Sequence, residues 1–144
     1  MPEKHKILLI EDNPAMLEAN AMVLKSEGYA VVIAATLQQA RKALQTADIQ
    51  AVVLDVDLPD GSGFDFCREI RDPDSPLSTL NSGLSRIPVI FLTGRNQPED
   101  RAEGLEAGAD DYIVKPFLIE ELTESIKALI KQKTPQSGEL EELK

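Results

Sequence analysis

The sequence predicts an α/β fold, a doubly wound (βα)5 three-layer sandwich whose parallel five-stranded sheet runs in the order 2-1-3-4-5. Five short apolar runs rich in β-branched residues recur along the chain, at residues 7–10, 30–33, 52–54, 88–92 and 112–114. None alternates between apolar and polar positions, as expected of strands covered on both faces. Segments of helical length and periodicity separate them. Strands alternating with helices connect through right-handed βαβ crossovers, which makes the sheet parallel.

The elements follow in order. Asn13 and Pro14 open the first helix, Leu17, Ala21 and Leu24 form its apolar stripe, and Gly28 can stop it. A Thr36-x-x-Gln39 capping box opens the second, whose stripe is Leu37, Ala40 and Leu44. A third helix is expected over residues 62–71 and a fourth over 98–107, and the last stripe is Leu118, Leu122, Ile126 and Leu129. Gly61-Ser62-Gly63 lacks the third glycine of a dinucleotide fingerprint and reads as the turn into the third helix. Residues 72–86, rich in proline, serine and aspartate, are long for a connection, and Leu77, Leu80 and Leu84 could give them a short packed turn. One domain is expected over residues 1–133, with 134–144 a polar tail or the start of a linker.

Composition narrows the function classes. The 144 residues are 42% hydrophobic and 28% charged, ordinary for a globular domain. The formal charge of −10 disfavours direct binding to nucleic acid or to an anionic membrane. Cys67 is the one cysteine, which rules out an internal disulfide and fits a reducing compartment. The start is polar and no apolar run approaches ~18 residues, so the expected location is the cytoplasm, with no membrane span.

In a sheet of this order the ligand crevice lies at the carboxyl ends of strands 1 and 3. Glu11-Asp12 follows the first strand and Asp55-Val56-Asp57 the third, so acidic side chains converge there. Such a cluster repels itself unless a cation intervenes. Magnesium suits it, with one or two carboxylates and a phosphate as ligands. Thr93 and Lys115 end the fourth and fifth strands. A hydroxyl and an ammonium facing a metal–carboxylate cluster suit stabilisation of a transferred phosphoryl group, with one carboxylate as the accepting nucleophile.

Four motifs at successive strand ends match one family in order. They are Glu11-Asp12, then Asp55-x-x-Leu58-Pro59-x-x-x-Gly63, then Thr93-Gly94, and finally Gly108-Ala109-Asp110-Asp111-Tyr112-x-x-Lys115-Pro116-Phe117. Over about residues 6–131 the chain resembles the receiver domain of two-component response regulators, which implies the flavodoxin-like form of the fold. The resemblance implies that Asp55 is the phosphoacceptor, Asp12 a direct magnesium ligand, Glu11 its partner through water, and the Asp57 carbonyl a further ligand. It implies that Lys115 pairs with Asp55 or the phosphoryl group, and that Thr93 moves in to bond a phosphoryl oxygen. Tyr112 holds the switch-aromatic position, expected to turn inward as Thr93 moves, and the Lys115-Pro116 bond is expected to be cis. Asp57 and Arg95 fall at variable positions that flank the approach of the attacking water and are expected to tune phosphoryl lifetime. The implied donor is a sensor histidine kinase or a histidine phosphotransfer protein. The implied output surface is the fourth helix, fifth strand and fifth helix, read by a partner, a C-terminal effector or a second copy. The interval from Asp55 to Thr93 is longer than usual for the family because of residues 72–86.

Blander readings stand beside these. Asp12 alone could equally cap the first helix, Thr93 could be a turn residue, Lys115 a solvated lysine and Tyr112 a strand aromatic. His5 reads as solvated and Cys67 as a small core residue near Phe64 and Phe66. Two other functions compete. Asp55-x-Asp57 suggests a haloacid-dehalogenase-like phosphatase, although that motif normally ends the first strand of its domain. A receiver-like docking module that is never phosphorylated is the other, although such modules generally lack the acceptor, the metal acid or the lysine.

Overall fold

The computed structural model describes residues 4–80 and 83–133, so the expected tail at 134–144 lies outside the described residues. The elements are β1 (Lys6–Ile10), α1 (Pro14–Ser26), β2 (Ala30–Ala34), α2 (Leu37–Thr46), β3 (Ala51–Leu54), β4 (Asp57–Leu58), β5 (Gly61–Ser62), α3 (Gly63–Arg71), α4 (Pro76–Leu80), β6 (Val89–Thr93), α5 (Pro98–Glu106), β7 (Asp111–Val114) and α6 (Ile119–Lys133), with a 3-10 turn at Leu84–Arg86. The main sheet runs β2-β1-β3-β6-β7 and is parallel throughout, the expected 2-1-3-4-5 order once the β4–β5 hairpin is set aside.

Successive strand residues point to opposite faces, and each face has its own core. Leu8, Ile10, Val52, Leu54 and Phe91 pack with α2, α3 and Leu77 and Leu84 of the long connection. Ile7, Leu9, Val53, Ile90 and Ile113 pack with Ala21 and Leu24 of α1 and Leu122, Ile126 and Ile130 of α6. This explains the unbroken apolar runs. β2 departs from the expectation of two covered faces: it is an edge strand, and Ile33 is 56% exposed. Leu118 departs too. It precedes α6 and is 70% exposed, so Ile130 rather than Leu118 completes the buried stripe.

Local chemistry sets the helix ends. The Asn13 side chain accepts the Met16 N–H at 3.1 Å and caps α1, and Gly28 adopts φ 97° just past its end, a left-handed conformation that favours glycine. Thr36 accepts the Gln39 N–H, but the Gln39 side chain accepts from Ala35 rather than closing the capping box on Thr36. The connection after α3 forms the short α4 and the 3-10 turn, with Leu77 and Leu84 buried, while the Leu80 side chain lies outside what is described. Arg71 secures it. Its guanidinium donates to the carbonyls of Ile87 (2.6 Å), Gly108 (2.8 Å) and Ser85 (3.2 Å) and to the Asp110 carboxylate (2.9 Å). Among the described residues no helix is long and apolar enough to cross a membrane.

The β4–β5 hairpin, absent from the sequence expectation, folds the chain sharply after Asp55, and the Gly63 N–H closes it onto the Val56 carbonyl at 2.7 Å. A Cβ on Gly63 would lie 2.2 Å from the Asp55 carbonyl oxygen and 3.0 Å from the Val56 Cα. Both neighbours are backbone and cannot step aside. Gly63→Ala is therefore expected to destabilise the fold by about 1–3 kcal/mol, read as a lowered urea midpoint; an unchanged midpoint would show that the close approach carries no strain.

Candidate functional site

Parallel register brings the polar ends together. Ile10 pairs with Leu54 and Leu54 with Phe91, so residues leaving β1, β3 and β6 emerge side by side at one edge. The backbone ladder runs one step further, with the Asp55 N–H on the Ile10 carbonyl at 3.1 Å.

Glu11, Asp12 and Asp55 each offer a carboxylate oxygen to one cluster, with those oxygens within 4.8 Å of one another. Glu11 is buried at 4% exposure. Its Oε2 accepts the Asn13 N–H at 3.2 Å and its Oε1 accepts from the Lys115 ammonium. Lys115 Nζ also reaches Asp55 Oδ2 at 3.2 Å, and Asp55 Oδ1 accepts the Val56 N–H at 2.7 Å. Burial opposes the charge on Lys115, but the hydrogen bond to Glu11 and the negative charges of Asp55 and Glu11 outweigh it and hold its pKa above the ordinary value. Because Asn13 takes the capping role, the capping reading of Asp12 falls away, and its exposed carboxylate faces the cluster. One ammonium against three carboxylates leaves a formal excess of negative charge, and an all-oxygen donor set of this size fits a hard divalent cation.

Thr93, fully buried at the end of β6, accepts the Arg95 N–H on its hydroxyl at 3.2 Å. The Arg95 guanidinium grips the Asp57 carboxylate through Nη2 (2.6 Å) and Nε (2.9 Å), and Nη1 lies 3.4 Å from Asp100. The hydrogen bond from Arg95 holds the Asp57 carboxyl below its usual pKa, and the same contact raises that of Arg95. Tyr112 is buried with its ring 5.9 Å from that of Phe91, and its hydroxyl donates to the Arg95 carbonyl at 2.9 Å. The ring thus already stands inward, packed over Gly104, where a Cβ would meet it at 2.8 Å. Burial, reinforced by the charge of Asp100, pushes the Tyr112 phenol up to about 12, so it remains a donor at neutral pH.

Every residue singled out for the crevice lies at this one end of the sheet, and the Lys115–Pro116 bond is cis. The others lie elsewhere. His5 is exposed ahead of β1, and Cys67 is fully buried in α3 with its thiol pushed up to about 11 by burial, so it stays protonated. Sequence reasoning missed two carboxylates. Asp60 accepts the N–H groups of Leu37 (2.8 Å) and Gln38 (3.0 Å), stapling the hairpin turn onto the start of α2. The turn sequence Pro59-Asp60-Gly61 was the available signal, but it does not reveal which helix lies opposite. Asp100 sits in the first turn of α5, accepts the Gln97 N–H at 3.2 Å and braces Arg95; a cap three residues after Gln97 was legible, the arginine was not.

Comparison with known proteins agrees with this geometry. The family model "Response regulator receiver domain" matches residues 7–127. The transcriptional regulatory protein BasR of Escherichia coli K12 is 38% identical over 136 residues, 94% of this chain and 56% of that protein. The chain spans about half the length of the curated relatives it matches. A two-component response regulator from Clostridium difficile superposes with a TM-score of 0.79 at 23% identity, over 92% of this chain and all of that one, and supports the fold. The receiver domain of sensor histidine kinase PA1611 from Pseudomonas aeruginosa PAO1, described with a magnesium ion coordinated in the active site cleft, is 32% identical with a TM-score of 0.74, over 89% of this chain and 98% of that one. A matching family model over most of the chain, on a sheet of this order with this acidic cleft, places the protein: it belongs to the response regulator receiver domains.

Proposed function

We propose that Asp55 accepts a phosphoryl group from a phosphohistidine on a sensor histidine kinase or phosphotransfer protein, and that the domain signals through the change this makes. The carrying observation is that Asp55 bonds the Lys115 ammonium and shares one cluster with the carboxylates of Glu11 and Asp12, at the end of the sheet where β1 and β3 stop. An Asp55 carboxylate oxygen attacks phosphorus as the N–P bond breaks; the histidine nitrogen keeps the bonding pair and the acyl phosphate forms. Glu11, Asp12, Asp55 and the Asp57 carbonyl would hold a magnesium ion, which supplies positive charge to the phosphoryl oxygens. Lys115 adds fixed positive charge beside the acceptor, and the Thr93 hydroxyl gives up the Arg95 N–H to donate to a phosphoryl oxygen. Water later cleaves the acyl phosphate, so the chain acts on its own phosphoryl group rather than on a metabolite. Asp57 and Arg95 flank that water's approach and set the phosphoryl lifetime.

Thr93 and Tyr112 share Arg95 as a partner, which couples the pocket to α5, β7 and α6, the surface that a partner, an effector or a second copy reads. The site of action in this reading is the cytoplasm, a reducing compartment that suits a chain whose one thiol, Cys67, is unpaired with another cysteine. The phosphatase reading loses support because its motif follows β3 rather than the first strand, and because the carboxylate of its second aspartate is engaged by Arg95, which favours the ionised form.

Incubation with a small phosphodonor and Mg²⁺ is expected to label the wild type and leave Asp55→Asn unlabelled, and chelation of the metal is expected to abolish labelling. Equal labelling of the variant would refute the acceptor, and an unlabelled wild type that also fails to take up beryllofluoride would favour the docking module. Asp57→Ala and Arg95→Ala are each expected to change the dephosphorylation rate, and unchanged rates would remove both from that role.

The buried phenol makes a separate prediction about pH. An unfolded tyrosine ionises near pH ~10, whereas folded Tyr112 holds its proton to about 12. Its contribution is therefore intact below pH ~10 and lost as pH rises through that window. The unfolding free energy is expected to fall less steeply there in Tyr112→Phe than in wild type; identical slopes would mean that the phenol titrates normally.

A further inference from the structure

One residue joins four parts of the switch region. The Arg95 N–H donates to Thr93 Oγ1 at 3.2 Å and its carbonyl accepts the Tyr112 hydroxyl at 2.9 Å. Its guanidinium clasps Asp57 on the acceptor loop at 2.6 and 2.9 Å and reaches Asp100 on the first turn of α5 at 3.4 Å. The second oxygen of Asp100 accepts the Gln97 N–H, so the arginine pulls on the group that caps the helix. Since Leu54 pairs with Phe91, the loop carrying Asp55 and Asp57 rises beside the turn that carries Arg95. A planar guanidinium that binds a carboxylate with two hydrogen bonds fits a phosphoryl group in the same way. The side chains of Arg95 and Asp57 are 45% and 64% exposed, so water screens the pair and a more highly charged anion can displace the carboxylate.

We propose that Arg95 exchanges partners: it ties Asp57 to Asp100 while Asp55 is unmodified, and moves onto the phosphoryl group once Asp55 carries one, freeing the first turn of α5. Asp100 is then a positioning residue that opposes phosphorylation from a distance. The inference rests on Asp55 being the acceptor. A contact made in one state alone shifts the equilibrium against the other, so removing it must favour the modified state.

The test is the affinity for beryllofluoride in the presence of Mg²⁺, measured calorimetrically on wild type, Asp100→Asn, Arg95→Gln and the double variant. Asparagine keeps an oxygen for the Gln97 N–H, so the cap survives while the charge goes. Asp100→Asn is expected to bind roughly threefold more tightly, Arg95→Gln more weakly, and the double variant no differently from Arg95→Gln. The Arg95 Nε–H resonance of the wild type is expected to shift on binding. Loss of a merely structural contact would not tighten binding, and a plain field effect of the lost charge would persist without the arginine; either result, or a fixed Nε resonance, overturns the proposal. A wild type that binds no beryllofluoride removes the acceptor reading and this inference with it, whereas wild-type binding that Asp100→Asn leaves unchanged overturns this inference alone.

Discussion

The crowding of Glu11, Asp12 and Asp55 around one ammonium is the constraint on which the rest of the site depends. Three carboxylates within a few ångströms raise each other's energy, and the fold tolerates this because Lys115, just past the end of β7, reaches across the end of β6 and is held between two of them. The remaining negative charge makes the site receptive to a divalent cation and to the transfer of an anionic group that brings its own counterion. The core makes the crowding unavoidable. Buried strands fixed in parallel register leave the residues after Ile10 and Leu54 no place to go except the same crevice.

Around this pocket the polar contacts are graded by burial. Lys115, Glu11 and Asp55 are largely enclosed, so their pairing is set by the fold. Asp57 and Arg95 are far more open, so water screens their pair and suits it to exchange, while Asp100 at the other end of the arginine is 18% exposed. Tyr112 and Thr93 stand between the two groups, both buried and both bonded to Arg95 through its backbone. Rigid chemistry at the centre and replaceable contacts at the rim are what a reversible switch requires.

Much of this was legible in the chain itself. The β-branched runs, Asn13 before Pro14 and Gly28 after the first helix located their elements because each rests on local sterics or a nearby hydrogen bond. The strand-end positions of Glu11, Asp12, Asp55, Thr93 and Lys115 followed once the sheet order was set, since topology brings strand ends together whatever the loops do. Less was legible where the partner is remote. Leu118 fits the helical period yet lies outside the helix, and Ile33 fits a buried strand yet faces solvent, because periodicity does not record which neighbour exists to cover a side chain.

The sequence by itself determined the alternation of strands and helices, the acidic strand ends and the family, because these depend on composition, spacing and short-range geometry. Only the tertiary structure decided that Gly63 must lack a Cβ beneath the Asp55 carbonyl, that Tyr112 stands inward over Gly104, and that Arg95 joins Asp57 to Asp100. Each of those depends on separate elements meeting within hydrogen-bond or van der Waals distance, and such meetings are set by the packing of whole elements rather than by any local run of residues.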